Sequence, residues 1–194
     1  MKNALAIASG LLVMLSSLPY LIDIVKGKTK PNIVSWATWT LLTTIATIAA
    51  FAAHAPRAAM LTLGATLATL AVVILGLKYG TAKITRFDVF CQIGALGGLI
   101  LWFVFDSPSL ALGFALAIDL IGGLPTLYHS WRKPNEETWQ TFFIGMIASI
   151  LTLLSLNAYH FADLAFPVYF VIFDMAAVFV IVLRRKQKRL ILAL

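Results

Sequence analysis

Two hexapeptides decide how this chain is read: SSLPYL at residues 16–21 and GGLPTL at residues 122–127. Each sets two small residues ahead of Leu-Pro-x-Leu inside a long apolar run, and the two prolines, Pro19 and Pro125, stand 106 positions apart. A proline inside a helix removes one backbone hydrogen bond, and its ring crowds the carbonyl four residues back. One such element is an ordinary kink. The same element twice, in equivalent surroundings, marks a duplicated unit. The match continues downstream, where Lys30-Pro31-Asn32 answers Lys133-Pro134-Asn135 and Trp36 answers Trp139. The offset there is 103, so the second loop is shorter, but the order is kept: helix proline, Lys-Pro-Asn loop, Trp opening the next helix.

The surroundings are a membrane sequence. Of 194 residues, 61% are hydrophobic and 12% charged, and the mean hydropathy is +0.93. Soluble domains are roughly half apolar and about a quarter charged, so the bilayer is the natural solvent for this chain. Runs of roughly 20 apolar residues mark spanning helices. They predict seven, near residues 3–25, 33–53, 57–77, 87–105, 109–130, 137–156 and 161–183. Pro56 and Pro108 fall at helix starts, where a missing N–H costs little, and Pro167 falls at a start or one turn inside. The stretch TRFD at 85–88 reads as a cap followed by an acid at the positive end of the helix dipole. The first run has a weak n-region and is too long for a signal peptide, so it is expected to remain as a helix.

Orientation follows from Lys and Arg. The segments after the first, third and fifth helices, with the tail, hold Lys26, Lys28, Lys30, Lys78, Lys83, Arg86, Arg132, Lys133, Arg184, Arg185, Lys186, Lys188 and Arg189. The opposite side holds Lys2 and Arg57. The positive-inside rule then predicts an outside N-terminus and a cytoplasmic C-terminus. The net charge of +7 sits in these loops and the tail, which argues against nucleic acid as a partner.

The predicted fold class is an all-α membrane protein with seven transmembrane helices, built as two parallel three-helix bundles joined by a linker helix. Residues 1–80 form the first repeat, 81–107 the linker, 108–184 the second repeat and 185–194 a basic cytoplasmic tail. An odd linker makes both triplets start on the same side, so the repeats are related by an axis along the membrane normal. Gly94 and Gly98 in the linker have the spacing that lets helices approach closely. This pattern resembles the SWEET sugar transporters and the wider PQ-loop family over nearly the whole chain. The sequence departs from it at the family's name-giving Gln, which is Tyr20 in one copy and Thr126 in the other. The resemblance implies alternating access with the prolines at the cytoplasmic gate. It also implies a solute site lined by a Trp from the second helix, a part open to Trp39, and by an Asn whose place Asp174 takes in the second triplet.

The residues themselves point the same way. Pro19 and Pro125 are candidate hinges, because paired interrupted helices at corresponding places of two repeats mark moving parts. Asp119 and Asp174 lie near the middle of their helices, with no Lys or Arg at that depth. An intramembrane carboxylate is costly and defaults to a functional role. These two are candidates for solute binding and for proton coupling. Trp39, Thr43 and Thr47 share a helical stripe suited to stacking on and hydrogen bonding a small polar solute, and Trp39 and Thr43 are the candidate ligands from it. Trp36 and Trp139 read as interfacial belt residues. Asp23 reads as a surface partner of Lys26.

The expected function is transport of a small polar solute (sugar, amino acid or vitamin-like) by alternating access, with proton coupling through one or both acids. The alternative is a seven-helix receptor or sensor. A retinal photoreceptor needs a Schiff-base Lys in the last helix, and 161–183 contains none. Enzymatic chemistry is not expected: His54, His129 and His160 are scattered, Cys91 stands alone, and no metal-ligand spacing occurs. No cofactor is expected. The expected partners are the solute and the bilayer, with a homo-oligomer open and no nucleic acid. The expected location is a bacterial inner membrane, which the chain crosses several times.

Overall fold

The computed structural model describes residues 1–29, 31, 33–79, 107–193 and the single positions 86, 89, 90, 93, 94, 97 and 100. Lys30, Asn32, Lys83, the cap at 85–88 apart from position 86, Cys91, Gly98 and most of the linker helix expected at 87–105 lie outside the described residues. In chain order the elements are α1 (Lys2–Ser16), α2 (Leu18–Val25), α3 (Ile33–Ala52), α4 (Pro56–Tyr79) and α5 (Pro108–Arg132). A short 3-10 turn (Pro134–Glu136), α6 (Trp139–Ser155) and α7 (Phe161–Ala193) follow. All regular structure among the described residues is helical.

Among the described residues, five helices are long and apolar enough to cross a membrane: α1 and α2 together, α3, α4, Leu112–Arg132 of α5, and Phe161–Lys188 of α7. The apolar α6 is shorter. The chain is thus a helical membrane protein. Its large apolar side chains point outward, as Ile48, Ile74, Leu154, Ile172 and Phe179 do, each at least half exposed. The buried positions are rich in Ala, Ser and Thr. That inversion is what lipid demands, since small residues let helices pack closely where no hydrophobic effect separates them from the solvent. The tightest approach is between α1 and α4: a Cβ built on Gly64 would overlap the carbonyl oxygen of Gly10.

Local signals explain the helix ends. Pro56 and Pro108 open α4 and α5, and Ser107 caps α5 by accepting from the Leu110 N–H at 3.5 Å. Helix α7 passes through Pro167 and continues through the basic tail to Ala193. The first span is interrupted at Ser17. Pro19 supplies no N–H there, and the hydroxyls of Ser16 and Ser17 donate to the carbonyls of Val13 and Met14 at 2.6 and 2.8 Å. Such back-bonding bends helices. The second hexapeptide behaves differently: α5 is helical throughout. Its Gly123 instead makes room for the Phe173 ring of α7, which a Cβ would overlap.

Each long helix has definite neighbours. Helix α1 packs on α4 and α6, α4 on α3, α3 on α5, α5 on α7, and α7 on α6, which closes a ring. Polar bonds tie this ring at both ends. At one end Lys2 Nζ donates to the Leu156 carbonyl at 2.6 Å, and Arg57 donates to Asn3 Oδ1 at 2.9 Å. At the other end, which carries the basic loops, Thr138 donates to Asp23 Oδ2 at 2.9 Å. This corrects the expected Asp23–Lys26 surface pair: the Thr138 hydroxyl of α6's N-cap reaches the carboxylate instead.

Candidate functional site

The ring encloses a cavity in which the centres of water-sized molecules have about 100 Å³ to occupy. Every long helix among the described residues contributes to its wall. Trp39, Thr43, Asp119 and Asp174, predicted from three separate helices, all line it. Thr47 does not. It is turned between helices, where its hydroxyl meets that of Thr62 at 3.0 Å. The Thr43 hydroxyl donates to the Trp39 carbonyl at 2.7 Å, within its own helix. Pro19 is absent from the wall, but the interruption just before it places Ser16 and Ser17 there. Pro125 lies within continuous α5.

The two acids come together from different helices. Asp119 of α5 is buried at 4% exposure, and Tyr169 of α7 lies beside it. Asp174 lies within electrostatic reach of both. It rests on bare backbone: a Cβ added to Gly145 of α6 would sit 2.6 Å from its Oδ2. The Tyr169 hydroxyl is directed at the Asp119 carboxylate. The Thr141 hydroxyl on α6 is buried without a partner. Both residues line the cavity. Among the described residues, no Lys, Arg or His does so.

The aromatic wall corrects one expectation. Trp36 is not an interfacial belt residue. It is 8% exposed, lines the cavity and meets Trp39 edge-on at 5.1 Å. Tyr20 packs behind it at 4.8 Å. The reason is tertiary: Val72 of α4 and Tyr20 and Ile24 of α2 pack in one cluster with Trp36 and Trp39 of α3. Sequence reasoning also missed Tyr169, Phe170 and Phe173, which line the cavity with Asp174. A signal existed, because 169, 170, 173 and 174 fall on one helical face. Gly145 and Thr141 carried no comparable signal.

Outside the spans, the basic end holds an ionisable cluster. Glu137 lies in the turn before α6 begins, nearly buried, with one carboxylate oxygen 3.9 Å from His129 Nε2. Burial pushes its pKa up to about 8, the neighbouring Glu136 charge adds to this, and Arg185 opposes it. Glu136 is paired more openly with His129 at 3.3 Å and Lys133 at 3.1 Å. Arg185 donates to the carbonyls of Pro134 and Glu137 at 2.9 and 2.5 Å. Arg184 stacks over Trp131 at 4.3 Å, and Lys188 donates to the Arg132 carbonyl at 2.7 Å. The tail is thereby fastened to the C-terminal carbonyls of α5, where cations are favoured.

Comparison of the chain with family models, curated proteins and solved structures finds no match.

Proposed function

We propose that this protein is a membrane transporter of a small polar solute, working by alternating access and coupled to protons through Asp119 or Asp174. We further propose seven spanning helices in the parallel 3+1+3 arrangement of the SWEET and PQ-loop proteins, with the basic end cytoplasmic. The observation that carries this reading is a cavity, mostly apolar in its wall but holding two carboxylates, bounded by helices from both halves of the chain. The ring of neighbours supports the duplication. Exchanging α1–α2 with α5, α3 with α6, and α4 with α7 leaves that ring unchanged, as a parallel repeat about a central axis requires. The interruption beside Pro19 lies next to the cavity wall, where a hinge would act on the site.

Reconstitution into liposomes tests the proposal. Sugars, amino acids, amines, vitamins and nucleosides are screened for uptake with and without a pH gradient. Gradient-dependent uptake that becomes insensitive to the gradient in Asp119→Asn or Asp174→Asn supports coupled transport. Uptake unchanged in both variants sinks the coupling. Saturable binding without flux of any bound solute points to a receptor instead.

A further inference from the structure

We infer that the cavity takes a small primary amine in its ammonium form, lacking any acidic group, with the N–H donors directed at the Asp119 and Asp174 carboxylates. This rests on the transport reading only for what happens after binding; the site itself is argued from its own chemistry.

The cavity wall supplies acceptors and no cations. Two carboxylates from α5 and α7 approach one space, and no Lys, Arg or His among the described residues lines it. Two intramembrane carboxylates without a basic partner demand a cation or protons. A second, independent observation concerns a hydroxyl. Thr141 of α6 is only 9% exposed, lines the cavity, and has a side-chain oxygen without a partner. A buried hydroxyl left unpaired costs roughly 1–3 kcal/mol, which a bound polar group would recover. A primary ammonium has three donors, and the wall offers carboxylate and hydroxyl acceptors for them. The aromatic rings of Trp36, Trp39, Phe142, Phe170 and Phe173 accept the alkyl part and attract the charge through their faces.

The same wall rejects other solutes. An amino acid would bring a carboxylate to a site with two of its own and no cation to pair it, a like-charge cost. A sugar would leave both acids without a counter-charge.

Protons and the ammonium compete for the same oxygens, so affinity falls as pH is lowered. The groups facing these acids bear this out. Asp119 faces Tyr169 and Asp174 of α7. Asp174 faces Gly145 of α6. Helices α1, α3 and α4 bring Ser16, Ser17, Trp36, Trp39, Thr43 and Thr69 to the wall, with no charge among them. Beyond the wall, Tyr20 of α2 lies behind Trp36, within reach of Glu137.

Binding to the purified protein in detergent, followed by thermal shift and tryptophan fluorescence, tests the inference. The probes are butylamine, butan-1-ol and 4-aminobutanoate. Butylamine is expected to bind roughly tenfold or more tightly than either of the others, the scale of a charged hydrogen bond. It should weaken as pH falls and lose a similar factor in Asp174→Asn. Equal binding of 4-aminobutanoate or butan-1-ol overturns the inference, as does butylamine affinity that is independent of pH. Because the wild-type pH series needs no variant, a misfolded Asp174→Asn leaves the test intact. Ammonium binding without flux supports this site and defeats the transport reading. Sugar flux without ammonium binding does the reverse.

Discussion

At the scale of single residues, two glycines do different work, and substitution separates them. Gly64 touches the backbone of α1, and a Cβ there overlaps a carbonyl oxygen that cannot rotate away. Gly145 touches only the end of the Asp174 side chain. Gly64→Ala is therefore expected to lower stability by about 2–3 kcal/mol, at the upper end of overpacking costs. Gly145→Ala is expected to lower stability less, yet to displace Asp174 and weaken solute binding as far as Asp174→Asn does. Thermal unfolding and solute titration of both variants check this, and equal loss of binding in the two would contradict it. Glu137 gives a pH signature. Its folded pKa of about 8 lies above the ordinary 4.5, so the folded chain keeps a proton that the unfolded chain releases. Stability then falls as pH rises from about 4.5 through about 8. Glu137→Gln should raise the melting temperature above that range and leave it unchanged at its acid end. A pH-independent difference would refute the assignment.

At the scale of elements, the two hexapeptides share a pattern but not a geometry. Ser16 and Ser17 bond back to the helix, and the helix breaks beside Pro19. Gly122 and Gly123 cannot bond back, and α5 runs on. The first copy is thus the more pliant one, although both were read as hinges. Pro19→Ala restores an N–H in α2 and is expected to stiffen the span. Uptake should slow several-fold while thermal stability holds or rises, as for substitutions that impede a gating motion. A loss of stability with unchanged uptake would assign Pro19 a packing role alone. The serines were visible in the sequence. Which carbonyls they would take depends on helix geometry, and that was not.

At the scale of the whole molecule, alternating access needs the two halves to move against each other. Their largest contacts are α1 with α6 and α3 with α5. On the first of these, Ser9 and Thr152 meet with their hydroxyl oxygens 2.7 Å apart. Cysteines at both positions, in a background with Cys91 replaced by Ser, are expected to cross-link under oxidation. Cross-linking should abolish uptake, and reductant should restore it. Full uptake by the cross-linked protein would show that this interface does not open. Fastening of the tail by Arg184, Arg185 and Lys188 belongs to this scale too, because it joins α7 to the end of α5 across more than 50 residues of chain.

What the sequence determined by itself was everything that depends on local composition. Apolar run length placed the described helices to within a few residues, apart from the far end of α7, since the bilayer constrains length and polarity directly. The isolation of Asp119 and Asp174 among apolar residues singled them out as candidates, because a carboxylate in such surroundings is costly. Trp39 and Thr43 followed from helical spacing. What only the tertiary structure decided was which faces meet. Trp36 went inward because neighbouring helices cover it, and Tyr169 joined the acids because α7 turns that face to α5. Gly145 mattered only once Asp174 was laid against it. Side chains at i and i+4 declare themselves in one helix, but contacts between helices depend on rotation about each axis. That rotation is set by packing summed over the whole bundle, which no local stretch of sequence contains.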